Sequence, residues 1–289
     1  MNSIKIDVKD FNLIHIFDCG QCFRWRKMED GFYIGVALNR VVSMKEDRGT
    51  LTIIPLLTPN GVKASEEKAL WRDYLDLDRD YGTIKRKLRR GDPAMAKAIK
   101  AGEGIRILKQ DLWETIISFI ISQNNHIPRI KGCIESLAEN FGEPVAGLDR
   151  RCLKSIELPE GLKPFNLPTP EKLAKLKVED LAPIKLGYRD KYLIETAKTV
   201  AEEGLPKDFD KLSKLCGVGP KVANCIALFG MEKTASFPID VWVKRVMAEV
   251  YGFEGNDLNG MKEFAGERFG ELGGFAQQYL FYYIRERNK

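Results

Sequence analysis

The sequence predicts an α+β chain in which an N-terminal antiparallel β-sheet domain, residues 1–110, precedes a large α-helical region, residues 111–289. Three observations carry this prediction. Short runs rich in β-branched and aromatic residues crowd the first quarter of the chain. Past residue 65 or so, apolar residues recur at helical spacing instead. A Gly-x-Gly turn then separates two of the helical runs, the pattern of a helix-hairpin-helix.

The predicted strands are Ile4 to Val8, Phe23 to Met28, Phe32 to Leu38, Val41 to Lys45 and Leu51 to Leu56. Asp30-Gly31, Asn39-Arg40 and Asp47-Arg48-Gly49 supply turns between them. Nothing in these runs fixes their order in a sheet. Among the helices, Leu112 to Ile121 is apolar nearly all round, as a buried central helix would be. Ile130, Ile134, Leu137 and Phe141 fall at i, i+4, i+7 and i+11, and Leu193, Ala197 and Val200 repeat the period. Val241 to Val250 is a further helical run, while Pro159, Pro164, Pro168 and Pro170 mark an irregular stretch.

Composition sets bounds on function. The 289 residues are 44% apolar and 30% charged, with a net charge of +5, an ordinary globular profile that is only mildly basic. The sequence contains no apolar run long enough to span a membrane, and its start alternates charged and apolar residues. The expectation is a monomeric cytoplasmic protein, associated with the nucleoid if prokaryotic, that does not engage membranes. Six cysteines without a secretory signal read as reduced thiols. Cys19-Gly20-Gln21-Cys22 has CxxC spacing, but no second pair lies at a zinc-site distance and only two histidines exist. It also runs into a strand, Phe23-Arg24-Trp25-Arg26, rather than opening a helix, which argues against a redox motif.

The most informative stretch is Leu212-x-x-Leu215-x-Gly217-x-Gly219-x-x-x-Ala223-x-x-Ile226. Leu212 and Leu215 face inward near the end of one helix, and Gly217 and Gly219 permit a tight hairpin. Pro220 suits the first turn of the next helix, Ala223 lets two helices approach, and Ile226 anchors the second. Such a hairpin presents backbone N–H groups at a helix start and grips a DNA phosphate without reading bases. A dinucleotide fingerprint would need glycine where Val222 sits, and a phosphate loop needs a different glycine spacing. A plain structural αα-turn fits the same pattern.

Lys221 stands near the second position of that helix, where the macrodipole disfavours a cation. A nucleophilic lysine reacts as its neutral amine, so the position suits one, although a phosphate contact or a solvated lysine fits as well. Downstream, Phe237-Pro238-Ile239-Asp240 leads into the helical run that starts at Val241. Asp240 reads equally as an N-cap and as a carboxylate that takes a proton and stabilises positive charge on a sugar.

With these residues in place, the chain resembles the helix-hairpin-helix glycosylases with a Gly/Pro-Asp loop, and among them the 8-oxoguanine DNA glycosylase/AP lyases. The resemblance runs through Gly20 to Trp25, Ser122-Gln123-Asn124-Asn125 to Arg129, Gly187-Tyr188-Arg189, the hairpin, and Gly274-Phe275-Ala276-Gln277 to Phe281. It implies base-excision repair of duplex DNA containing 8-oxoguanine, with Lys221 as Schiff-base nucleophile and Asp240 as the assisting carboxylate. The lesion pocket it implies consists of Gly20, whose carbonyl accepts the N7 hydrogen of the lesion, Gln277 on the Watson–Crick edge, and Cys225 with Phe281 on the two faces. Asn124, Arg129 and Arg189 take the place of residues that bind the orphaned cytosine, and Tyr188 that of the wedge. Cytosine is the expected opposing base. No cofactor and no catalytic metal are implied; backbone carbonyls near Leu215 and Val218 match a monovalent-cation site.

On composition alone, Phe281 and Cys225 read as core residues and Gly20 as a turn glycine. Trp242 departs from the pattern, because animal members of the family carry a phosphate-contacting histidine there. Pro128 and His126 lie inside the Asn124–Arg129 segment, and the basic run Lys85-Arg86-Lys87, Arg89-Arg90 reads as a solvated helix face. A non-catalytic DNA-binding module and a glycosylase for alkylated purines are the competing readings. Lys221 opposes the second, since those relatives generally lack the lysine.

Overall fold

The computed structural model describes residues 3–148, 158–254 and 257–288. Its sheet holds five antiparallel strands, β1 (Ile4–Asp7), β2 (Trp25–Lys27), β3 (Tyr33–Ala37), β4 (Arg40–Asp47) and β5 (Thr50–Leu57), in the order β1-β5-β4-β3-β2. Each predicted strand run is present. Two tight turns carry the meander. Leu38 and Asn39 have φ of 51° and 59°, and Arg48 and Gly49 have 48° and 78°, so both two-residue turns have the positive φ pair that matches strand twist. β1 closes the far edge by pairing with β5, Ile4 opposite Ile53 and Ile6 opposite Leu51. Pro55 is tolerated because β1 stops opposite Ile53 and the ladder to β4 shifts register at Val41/Val42.

The helices are α1 (Leu13–Phe17), α2 (Ala64–Tyr74), α3 (Tyr81–Arg89), α4 (Pro93–Ala101), α5 (Leu112–Ser122), α6 (Ile127–Phe141) and α7 (Pro170–Leu173). After these come α8 (Arg189–Glu203), α9 (Phe209–Ser213), α10 (Pro220–Gly230), α11 (Val241–Tyr251), α12 (Leu258–Phe269) and α13 (Gly273–Arg287). Side-chain caps start many of them; Asp80, Asp92, Asp111 and Asp208 each accept a backbone N–H in the first turn. None of the described helices is long and apolar enough to cross a membrane.

The chain divides into two compact units, each assembled from separated stretches. The first comprises Met1–Val8, Cys22–Arg72 and Asp111–Val218; the second comprises Lys9–Gln21, Asp73–Gln110 and Gly219–Lys289. In the first, Val36 and Val41 of the sheet pack with Val145 and Leu162. Trp25 meets Trp71 edge-on at 6.5 Å, and Phe23 meets Phe119 at 5.9 Å. Arg24, almost fully buried, makes a two-pronged ion pair with Glu135 of α6 (both contacts 3.1 Å) and donates to the Phe165 carbonyl at 2.8 Å. In the second unit, α13 packs against α4 and α11. Tyr81 meets Phe275 edge-on at 5.5 Å.

Two expectations about charge and sulfur can be placed. Lys85 is buried and bonded to Asp10 and to the Glu103 carbonyl, so it is not part of a solvated face; Lys87, Arg89 and Arg90 are exposed as expected. Cys19, Cys22, Cys133, Cys216 and Cys225 are free thiols, and Cys152 lies outside the described residues.

Candidate active site and DNA-facing elements

Within the second unit, α10 begins at Pro220, so Lys221 is its second residue and Cys225 follows one turn later. Gly219, the N-cap, makes no side-chain cap hydrogen bond. Lys221 is half-buried and reaches the Cys225 thiol, which burial pushes up to about 11. Asp240 is the N-cap of α11, where its Oδ1 accepts from the N–H groups of Trp242 (3.0 Å) and Val243 (2.8 Å). Burial raises the Asp240 carboxyl above the usual aspartate range, against the pull of the Val243 N–H and of Lys221. Lys221, Cys225 and Asp240 therefore share one electrostatic environment.

The proposed pocket residues lie in the same unit. Gln277 is buried on α13, and its Oε1 accepts from Gln278 Nε2 at 3.0 Å. Phe281, one turn on, is only half-buried, unlike a core phenylalanine. Gly20 has φ +80°, and a Cβ there would stand 3.4 Å from the Phe281 ring. Gln21 anchors the Gly20 turn from behind. Its buried amide donates to Ile16 O (2.9 Å) and Arg106 O (2.8 Å) and accepts from Leu108 N (2.9 Å). Trp242, the departure from the family pattern, is half-buried with the Arg245 guanidinium 5.0 Å from its ring centre.

The remaining candidates belong to the first unit. Asn124 is exposed and sits at φ +45° between α5 and α6, a left-handed conformation that asparagine adopts more readily than most residues with a side chain. His126 caps α6, and Pro128 falls in its first turn, so both begin a regular helix and set the exposed Arg129 at its third position. Arg129 Nη2 donates to Lys185 O at 3.0 Å. Tyr188 is 49% exposed and is held from below by Tyr192 (5.6 Å) and the Arg189 guanidinium (4.5 Å). Arg189 itself is 4% exposed, and its guanidinium donates to the carbonyls of Gln123, Asn124 and Leu186. It is neither solvated nor free.

In the hairpin, α9 ends at Ser213, so Leu215 lies in the turn rather than in the helix, buried as expected together with Leu212, Ala223 and Ile226. Gly217 has φ +77°, and a Cβ there would come within 2.5 Å of the Tyr192 ring, so two constraints demand glycine.

Comparison with known proteins decides the lineage. A family model described as the 8-oxoguanine DNA glycosylase N-terminal domain matches residues 3–116. A second, the HhH-GPD superfamily base excision DNA repair protein, matches residues 117–270, more than half of the chain. The chain belongs to the HhH-GPD superfamily. Among proteins similar to this HhH-GPD chain, an 8-oxoguanine glycosylase/lyase of Clostridium acetobutylicum, solved with dsDNA containing cytosine opposite 8-oxoG, is 40% identical. Its TM-score is 0.86, with 100% of this chain and 97% of that one covered. The "Probable N-glycosylase/DNA lyase" of Methanothermobacter thermautotrophicus is 27% identical over 98% of this chain and 96% of its own length. The N-glycosylase/DNA lyase of Saccharomyces cerevisiae is 36% identical over 60% of this chain and 48% of its own.

Two residues of this HhH-GPD chain carry parts of the site without having been assigned a role from sequence. Gln123 Nε2 donates to the Gly217 carbonyl at 3.0 Å and to Ile120 O at 3.1 Å, fixing the hairpin glycine to the end of α5. Gln21 fixes the Gly20 turn. Gln123 lies in a stretch that carries the family resemblance and Gln21 beside the turn glycine, but the partners that define their roles are distant in sequence.

Proposed function

We propose that the protein excises 8-oxoguanine from duplex DNA and nicks the strand at the resulting abasic site. The observation that carries this reading is Lys221 at the second position of α10, sharing an environment with Asp240 at the start of α11, in a chain of the HhH-GPD superfamily. Family membership supplies the reaction class, and the relatives named glycosylase/lyases support both activities.

Extruding the lesion costs a few kcal/mol of unstacking, repaid by contacts in the pocket. Tyr188, an exposed ring with a firm base, serves as the wedge. The Gly20 carbonyl accepts N7–H of the lesion and repels guanine, whose N7 is an acceptor, while Gln277 bonds the Watson–Crick edge and Cys225 and Phe281 flank the ring. The neutral amine of Lys221 then attacks C1′, the C1′–N9 bond breaks, and the electron pair leaves with the base, which takes up a proton. Asp240, as carboxylate, stabilises the positive charge building on the sugar. Ring opening yields a Schiff base between Lys221 and C1′. Loss of a C2′ proton then expels the 3′ phosphate by β-elimination, and water releases the lysine.

Arg129 and Asn124 stand exposed to read the orphaned cytosine, and Arg189 holds the carbonyls on which Asn124 is mounted. Losing a bidentate contact costs about 1–3 kcal/mol, so a preference for cytosine of about 10–100-fold is expected. Single-turnover excision from four duplexes that differ only in the base opposite 8-oxoguanine measures it. Release of 8-oxoguanine, fastest opposite cytosine and with its ranking flattened by Arg129→Ala, is the expected result. Absence of release from all four duplexes contradicts the proposed activity, and equal rates contradict the opposing-base assignment alone.

A further inference from the structure

One side chain in the second unit joins the Gly20 turn to the Phe281 helix, and nothing in the mechanism above uses it. Arg285 lies on α13 one turn beyond Phe281 and two beyond Gln277, so the three share a stripe of the helix. Its Nη2 donates to the carbonyl of Asp18, two residues before Gly20. Its guanidinium carbon sits 5.3 Å from the Phe281 ring centre and 5.8 Å from that of Tyr282. Nη1 lies 3.9 Å from where a Gly20 Cβ would be. A carboxylate, Glu286, lies 3.4 Å from Nη2, on the side of the guanidinium already engaged with Asp18. Nε and Nη1 are buried with no acceptor among the described residues, although the side chain is only 11% exposed. A buried charged donor without an acceptor is unfavourable, and such groups mark places where a ligand completes the bonding.

The chemistry of the lesion supplies what these donors lack. 8-Oxoguanine carries an N7–H donor next to a C8=O acceptor, whereas guanine carries an N7 acceptor next to a C–H. A carbonyl and an N–H donor side by side complement the first arrangement and mismatch the second at both atoms. We propose that Arg285 is a specificity-determining residue that donates from Nη1, the nitrogen facing Gly20, to the C8 oxygen of the flipped base, while its Nη2 holds the Asp18–Gly20 turn so that the Gly20 carbonyl meets N7–H. This rests on the lesion assignment under the proposed function and adds a second point of discrimination to it.

The test compares wild type, Arg285→Met and Arg285→Lys in two reactions, excision from an 8-oxoguanine:C duplex and strand cleavage at a preformed abasic site. The methionine keeps the stem that covers Phe281 and removes the donors. Its loss on the lesion is expected to exceed its loss on the abasic site by about 10–100-fold, the range for a hydrogen bond to a charged group. Placed in a Lys221→Gln background, it is expected to lower the binding preference for 8-oxoguanine:C over G:C duplex by a similar factor. The lysine, which keeps a charged donor, is expected to recover part of both. Equal losses in the two reactions, or an unchanged binding preference, would overturn the inference by showing that Arg285 only supports the fold. Thermal melts identify a variant that fails to fold, in which case the lysine variant provides the same ratios. A wild-type protein that cleaves abasic sites but releases no 8-oxoguanine defeats the underlying reading instead.

Discussion

At Asp240 one carboxylate oxygen receives two backbone N–H groups, which secures the start of α11 and fixes where the charge sits. The sequence left cap and catalyst as alternatives; the cap is present, and a capping carboxylate near Lys221 remains free to act electrostatically. Asparagine caps about as well as aspartate, so Asp240→Asn should change stability by only a few tenths of a kcal/mol. The same substitution should slow base release by about 10²–10⁴-fold, measured by single-turnover excision. The pH dependence has a defined sign. Burial raises the folded-state value, so the folded protein holds the Asp240 proton more tightly than the unfolded chain does. Stability from this group therefore falls as pH rises from the ordinary 3.8 through the raised value, the same window in which the carboxylate proposed to assist Lys221 forms. The acid limb of the excision profile should lie above the ordinary aspartate value and should vanish in Asp240→Asn. An unchanged rate and profile would leave Asp240 as a cap alone. The place of Lys221 at the start of α10 was legible because its signal, a lysine directly after Gly-x-Gly-Pro, is local. Arg189 could not be read in full, because its burial depends on carbonyls 65 and 66 residues away.

At the scale of elements, what was legible followed from local chemistry. Asn39 and Arg48-Gly49 announce the turns and alternation announces the strands, whereas the pairing of β1 with β5 joins residues about fifty apart and leaves no local mark. The short α9 was overestimated because Leu212 and Leu215 share helical spacing, although the helix stops at Ser213. The hairpin gives a sharp test. Gly217 combines a positive φ with contact against Tyr192, so Gly217→Ala incurs about 1 kcal/mol for the backbone and about 1–3 kcal/mol for overpacking. A chemical-denaturation midpoint should fall accordingly, and DNA affinity with it. A melt within error of wild type would show that the hairpin has slack.

For the molecule as a whole, the residues with proposed roles divide between the two compact units. Lys221, Asp240 and the residues proposed to line the lesion pocket fall in the second unit; Tyr188, Asn124, Arg129 and Arg189, proposed to act as the wedge and at the opposing base, fall in the first. Both units are built from discontinuous stretches, which is why composition shifts along the chain do not reveal them. Arg24 shows how the first unit depends on distant partners, since it crosses 111 residues to reach Glu135. Arg24→Met takes both prongs from a buried carboxylate, leaving it the Lys163 N–H at 2.9 Å and Arg26 at 3.9 Å, and should cost about 3 kcal/mol, read by denaturant unfolding, with part regained in Arg24→Met/Glu135→Leu.

The central claim is covalent chemistry at one nitrogen, and borohydride trapping addresses it most directly. Incubation of the protein with an 8-oxoguanine:C duplex and borohydride should reduce the Schiff base to a stable protein–DNA adduct, with mass spectrometry placing the link on Lys221. Lys221→Gln should bind the duplex and form no adduct. An adduct that persists in that variant, or a wild-type protein that releases 8-oxoguanine without ever being trapped, would contradict the account.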